Sequence, residues 1–202
     1  MIPLTALIAA YLIGGIPFGF LMVRATTGRD VRTLGSGNIG ATNVLRTTGR
    51  AVAIVTLLLD ITKGFAAVWL ADRLTHHSPP WMSVAALAVM FGHAYPVFLK
   101  FHGGKAVASF AGAFLYLTPL PLLAVLIVFV MVVAATHYIS LGSILAAGTF
   151  PFAVWLILHP TAPVVLAALI GGGFVIYRHR ANLERIRFGN EYVFRFSRGG
   201  NL

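Results

Sequence analysis

The chain has 202 residues, of which 58% are hydrophobic and only 10% charged, with a mean hydropathy of +0.88. That balance lies outside soluble globular usage and within that of multi-spanning membrane proteins. Fifteen Lys and Arg against five Asp and Glu give a net charge of +10, and the absence of cysteine removes disulfides, thiolate zinc sites and a cysteine nucleophile together.

Apolar segments fall at 2–24, 51–72, 81–99, 106–117, 121–137, 141–158 and 162–177, where roughly 20 residues cross a bilayer upright. The pattern predicts an all-α integral membrane protein, a seven-transmembrane-helix bundle forming one domain over residues 1–202. The first segment has no basic residue before Arg24 and no small-residue cleavage signal, so it reads as a retained span and not a removed signal peptide. The fourth is short and is followed by Pro119 and Pro121. Residues 106–137 therefore read as a short hairpin, with one long kinked span, and five spans in all, as the alternative.

Either odd count puts the termini on opposite sides. Thirteen of the fifteen basic residues lie in loop 24–50, loop 100–105 and the tail from Arg178, all on one face in the seven-span arrangement; Lys63 and Arg73 are the exceptions. Because Lys and Arg accumulate on the cytoplasmic side, the N-terminus is expected outside and the C-terminus in the cytoplasm. The net charge then reports topology and attraction to anionic membrane lipids, with no nucleic-acid partner expected. In the tail, Tyr192, Phe194 and Phe196 alternate with other residues, which suggests a short interfacial strand or an aromatic anchor.

Three polar clusters share the basic face. The first, GSGNIGATNVLRTTGR, contains the G-x-G-x-x-G spacing of dinucleotide sites, but a membrane-length apolar segment precedes it in place of a strand, so the match is fortuitous. Gly35, Gly37 and Gly40 leave backbone N–H groups free to face an anion. Ser36, Asn38, Thr42 and Asn43 add neutral donors, and Arg46 can fork onto phosphate oxygens. The plain alternative is a flexible loop whose arginines merely follow the positive-inside rule.

The second cluster is GHAYPVFLKFHGGKAVAS, where Gly103, Gly104 and Lys105 open an apolar helix and offer close backbone approach, a helix N-terminus and a full positive charge. It is no Walker A loop, since Leu99 and Ala106 stand where Gly and Ser or Thr are needed. The third, YRHRANLERIRFGNE, places His179 and Asn182 three residues apart on one helical face among Arg178, Arg180, Arg185 and Arg187. Its alternative is an amphipathic surface helix on anionic lipid. Inside the spans, Asp60 and Lys63 suit a structural ion pair, with Lys63 able also to face the site. In HYISLGS, Ser143 is a candidate donor or a helix cap.

Taken together, GSGNIGATNVLR, LLDITKG, GHAYPVFLKFHGGKA and HRANLERIRFGNE resemble, in order, the signature set of the bacterial acyl-phosphate:glycerol-3-phosphate acyltransferases. The resemblance implies a seven-helix inner-membrane enzyme that acylates the 1-hydroxyl of sn-glycerol 3-phosphate from a long-chain acyl phosphate, giving lysophosphatidic acid and inorganic phosphate. It places Ser36, Asn38, Arg46, Lys105, His179, Asn182 and Ser143 in the substrate site, with Ser36, Lys105 and His179 expected nearest the chemistry. The chain departs from the family pattern in reading GGKA for GGKG and in having Tyr95 for Phe. No cofactor and no metal are expected, and the protein is expected to act as a monomer.

The chemistry agrees with the residues. Both substrates carry phosphate and one a fatty tail, so a basic glycine-rich pocket above an apolar bundle suits the pair. Phosphate is a good leaving group, so the protein mainly positions the alcohol, neutralises charge and excludes water. No H-x-x-x-x-D pair is present. The resemblance implies substrate assistance, a phosphate oxygen taking the hydroxyl proton, with His179 as the competing base. A transporter of a phosphorylated anion is the rival reading, but it calls for gating groups on both faces and often an inverted repeat. A non-catalytic lipid-binding scaffold would explain the basic tail and leave the internal glycine loops unexplained.

Overall fold

The computed structural model describes residues 2–194, and among them the regular structure is helical, with no strand. In chain order the helices are α1 (Ile2–Gly15), α2 (Phe18–Thr27), α3 (Ala41–Thr47), α4 (Arg50–Leu74), α5 (Pro79–Ala94), α6 (Val107–Leu117), α7 (Pro119–Thr136), α8 (Ile139–Leu158), α9 (Ala162–Arg178) and α10 (Arg180–Arg187). Every apolar segment read from the sequence coincides with a helix or a broken pair of helices.

Their capacity to cross a membrane differs. Five stretches are long and apolar enough: Pro3–Thr27, Arg50–Leu74, Pro79–Leu99, Pro119–Thr136 and Ile139–Leu158. A sixth is obtained when α9 and α10, which meet at 52°, count together. α6 has 11 residues, about 16 Å at 1.5 Å per residue, roughly half the hydrocarbon thickness. By length and composition the described helices thus give five or six spans where the sequence predicts seven. Residues 106–137 are two elements and not one kinked span: α6 packs on α4 and α7 on α8, with prolines in the first turn of α7.

Pro17 has no N–H and breaks the first apolar stretch between α1 and α2. The carbonyl of Ile16, left at the break, accepts a hydrogen bond from the Lys63 ammonium at 2.8 Å. Lys63 pairs with Asp60 at 2.7 Å, and His93 Nδ1 lies 3.6 Å from the same carboxylate oxygen. All three side chains are buried. The Asp60–Lys63 pair is therefore the structural ion pair that the sequence suggests, and its cation is spent on the broken helix.

α4 and α6 cross where glycines admit backbone. A methyl on Gly64 would meet the Ser109 carbonyl, and one on Gly112 the Ile61 carbonyl. Phe110, Phe114 and Phe150 fill the centre with ring centroids 4.7–4.9 Å apart. Exposed Leu126, Ile127, Val130, Phe152 and Leu156 give the helices an apolar exterior suited to lipid. At the far end of α4, Asp72 accepts the Tyr116 hydroxyl at 2.7 Å and lies 2.9 Å from His77 Nδ1. The tail forms no strand as far as it is described; Phe194 N–H donates to the His137 carbonyl. Phe196 lies outside the described residues.

Candidate active site

The first glycine segment closes around a single side chain. Asn43 Nδ2 donates to the carbonyls of Leu34 and Asn38 at 3.0 and 2.9 Å, and Oδ1 accepts the Ser36 N–H at 2.9 Å. Asn43 is 1% exposed. The sequence reading assigns this amide to substrate; the structure gives it to the loop, because a buried amide this short of water must pair with nearby backbone. Gly35 and Gly37 adopt left-handed φ of 55° and 71°, and a Cβ on Gly35 would strike Asn43 Oδ1. Gly40 caps α3, its N–H accepted by Asn38 Oδ1 at 2.8 Å. Facing outward are the exposed Ser36, the half-buried Asn38 and Thr42, and the exposed Arg46, whose guanidinium lies 4.3 Å from the Tyr192 ring centroid.

The second segment is also internally satisfied. The N–H groups of Gly103 and Gly104 donate to the Ala94 and His93 carbonyls, each at 3.1 Å. Arg178 donates to the carbonyls of both glycines. A Cβ on Gly104 would fall on the His93 imidazole. These glycines therefore allow the turn to sit against α5, and the expected anion contact through their N–H groups is not available. What the turn presents is Lys105 and the start of α6, which no side chain caps. Ala106, standing where the family pattern has glycine, holds a left-handed φ of 61°, a conformation that costs an L-residue about 1–2 kcal/mol.

The third segment meets the second. The Lys105 ammonium donates to Asn182 Oδ1, and Asn182 Nδ2 donates to Glu191 Oε1 at 2.7 Å. The same oxygen takes the Ser140 hydroxyl at 2.9 Å, while Arg185 Nε holds Glu191 Oε2 at 2.8 Å. Burial raises the Glu191 carboxyl, but these hydrogen bonds outweigh it and hold the group below the usual carboxylate range. Lys105 is pulled down to about 8, first by burial and then by the positive charge of Arg185, with Arg46 and Arg178 adding to it. His179 is pulled down to about 4 by burial and then by Lys105. Its Nδ1–H donates to the Val175 carbonyl at 2.8 Å, so the neutral ring keeps Nε2 as its acceptor.

Lys105, His179, Asn182 and Arg46 thus converge, whereas the polar atoms of Lys63 and Ser143 are bonded elsewhere. Lys63 is committed to Asp60 and Ile16, and the Ser143 hydroxyl donates to the Ile139 carbonyl one turn back at 2.9 Å. Sequence reading takes Tyr192 only as an aromatic anchor and Arg178 only as one of the tail arginines, and it does not name Glu191. Glu191 closes the quoted third cluster, where it and Glu184 are the two acidic groups among the arginines, and Tyr192 follows it at the start of the alternating aromatic residues. A cleft of about 720 Å³ brings Arg32 and Gly37 of the first loop beside Tyr95, Gly103 and Arg178. Among the described residues no cluster of His, Asp or Glu fits a metal ion.

An apolar helical bundle with five or six membrane-length spans gathers Arg46, Lys105, Arg178 and Arg185 near one carboxylate at one end, the pattern of a polytopic membrane protein with a basic cluster at one face. The sequence matches the glycerol-3-phosphate acyltransferase family over residues 4–189, and the chain belongs to that family. It is 47% identical over 193 residues to the glycerol-3-phosphate acyltransferase of Geotalea daltonii, covering 94% of this chain and 96% of the relative. The Geobacter sulfurreducens enzyme of the same name is 46% identical, covering 92% and 94%. The fold is similar to the crystal structure of PlsY (YgiH), an integral membrane glycerol 3-phosphate acyltransferase, in its glycerol 3-phosphate form. The TM-score is 0.90 at 35% identity, with 96% of each chain covered. The lysophosphatidic acid form of that protein gives 0.87 at 33% identity, covering 96% of this chain and 95% of that one.

Proposed function

We propose that the protein transfers a long-chain acyl group from acyl phosphate to the 1-hydroxyl of sn-glycerol 3-phosphate, releasing lysophosphatidic acid and inorganic phosphate. In this reading residues 1–202 form one seven-span acyltransferase unit of the bacterial inner membrane. It acts as a monomer, with its N-terminus outside and its site facing the cytoplasm. The observation that carries it is the excess of cations around the Lys105–Asn182–Glu191 network, above a bundle apolar enough to hold the acyl chain.

The hydroxyl oxygen attacks the carbonyl carbon, a new ester C–O bond forms, and the anhydride C–O bond breaks with its electron pair leaving on phosphate. The hydroxyl proton passes to a phosphate oxygen. Lys105 and Arg46 neutralise the two phosphates, helped by the open start of α6 and by Ser36, Asn38 and Thr42. Asn182 aims the Lys105 ammonium. His179, neutral and with Nε2 as acceptor, orients the hydroxyl and is the protein group able to take its proton.

The test supplies purified protein and glycerol 3-phosphate with palmitoyl phosphate in one reaction and palmitoyl-coenzyme A in the other. Lysophosphatidic acid formed only with the acyl phosphate, one phosphate released per acyl group, is expected. Product only from the thioester would overturn the donor. A His179→Gln protein, whose side-chain oxygen can hold the hydroxyl without taking its proton, that bound glycerol 3-phosphate tightly but lost turnover would move the proton transfer from substrate to protein.

A further inference from the structure

The turn that presents Lys105 is restrained from outside. Lys100 and Phe101 ahead of it and Ala106 after it all hold left-handed φ, at 52°, 63° and 61°. Non-glycine residues persist in that region only when their surroundings impose it. Two sets of bonds do so. α5 takes the N–H groups of Gly103 and Gly104. On the other side, Arg178 Nη2 donates to Gly104 O at 2.9 Å and to Gly103 O at 3.4 Å, and Nε reaches Gly104 O at 3.2 Å. The same guanidinium lies 5.0 Å from the Tyr95 ring centroid, which holds its plane.

Arg178 ends α9, directly before His179 and four residues before Asn182. One planar group therefore ties the turn carrying Lys105 to the helix ends carrying its partners. On the reading of Lys105 as a phosphate ligand, we propose that Arg178 is a positioning residue, which clamps the Gly103 and Gly104 carbonyls and so sets where the Lys105 ammonium meets the substrate phosphate. A guanidinium suits this task because its planar fork places Nη2 on both carbonyls and Nε on Gly104 O in one fixed orientation, which a rotating ammonium does not fix. Misplacing a binding group by about 1 Å can cost ~100-fold.

Glycerol 3-phosphate affinity is measured to millimolar ligand for wild type, Arg178→Ala, Lys105→Ala and the double variant, with KM and kcat for the active ones. The clamp predicts about tenfold or greater weakening in Arg178→Ala, and little further loss when the same change is made in Lys105→Ala, because the two act as a unit. Arg178→Lys falls between wild type and Arg178→Ala, and it carries the same cycle if the alanine variant fails to fold. Equal losses in both backgrounds would mean that Arg178 meets the phosphate itself, and no loss in either would remove the clamp. Wild-type affinity in Lys105→Ala would instead sink the reading of Lys105 on which the proposal rests.

Discussion

Two buried carboxylates stand at opposite ends of the bundle, and they differ in what surrounds them. Asp72 takes the Tyr116 hydroxyl and pairs with an exposed histidine, and its polar contacts close on themselves. Glu191 takes Ser140, Asn182 and Arg185, and around it Arg46, Lys105 and Arg178 bring further positive charge. Buried polar groups pair wherever they occur, so a satisfied network alone marks structure. A surplus of one charge held beside such a network marks a place prepared for a ligand of the other.

Removing that surplus should have the largest effect. Lys105→Ala and Arg46→Ala are each expected to cut turnover by about 10³-fold or more, the order seen when a charge-stabilising donor is lost from a reacting centre, while both proteins stay folded in detergent. Wild-type rates in both would erase the contrast between the two ends. Next in size is the response to pH. Lys105, at about 8, carries its charge below that value and loses it above. The ligand phosphate sheds its second proton near pH 6. Glycerol 3-phosphate affinity should therefore be greatest between about pH 6.5 and 7.5 and fall by up to ~tenfold per unit above about 8. His179, neutral above about 4, should add no limb in that window. A descending limb that persists unchanged in Lys105→Arg would assign it to another group.

The opposite end supplies the control. Asp72→Ala leaves the Tyr116 hydroxyl without its acceptor, which should cost about 1–3 kcal/mol and lower the melting temperature by roughly 2–4 °C for each kcal/mol. KM and kcat should stay within about twofold of wild type. A large kinetic defect with unchanged stability would mean that the two ends communicate.

How much of this the sequence discloses depends on the range of the interaction. Hydropathy is a local property, and all seven apolar segments appear as helices where it places them. Whether α6 crosses a membrane depends on what it packs against, and hydropathy does not report that. In the site, charge and side-chain type identify Arg46, Lys105, His179 and Asn182. The use of backbone is not legible: the glycines of both loops read as anion cradles, yet Leu34 and Asn38 take the N–H groups of Gly37 and Gly40, and Ala94, His93 and Arg178 take the polar groups of Gly103 and Gly104. Arg178 lies as far as 75 residues away along the chain from the glycines it holds, and no motif spacing encodes that pairing. Ala106 is intermediate. As a departure from the family pattern it is visible in the sequence, but its left-handed φ explains why glycine would suit that position.

Ser143 sharpens the distinction between a polar group near the site and one that serves it. Its hydroxyl proton goes to the Ile139 carbonyl within α8, and the residue is 5% exposed, so toward a phosphate it has only lone pairs to offer. Ser140, one turn earlier, instead reaches Glu191 and belongs to the network. Ser143→Ala should then change kcat/KM by less than about threefold and stability by roughly 1 kcal/mol or less. Ser140→Ala, by removing one of the donors that hold Glu191 ionised, should act more strongly on both. The reverse order would require the Ser143 hydroxyl to turn away from Ile139 and toward the ligand, which would extend the functional end of the bundle one turn deeper into α8.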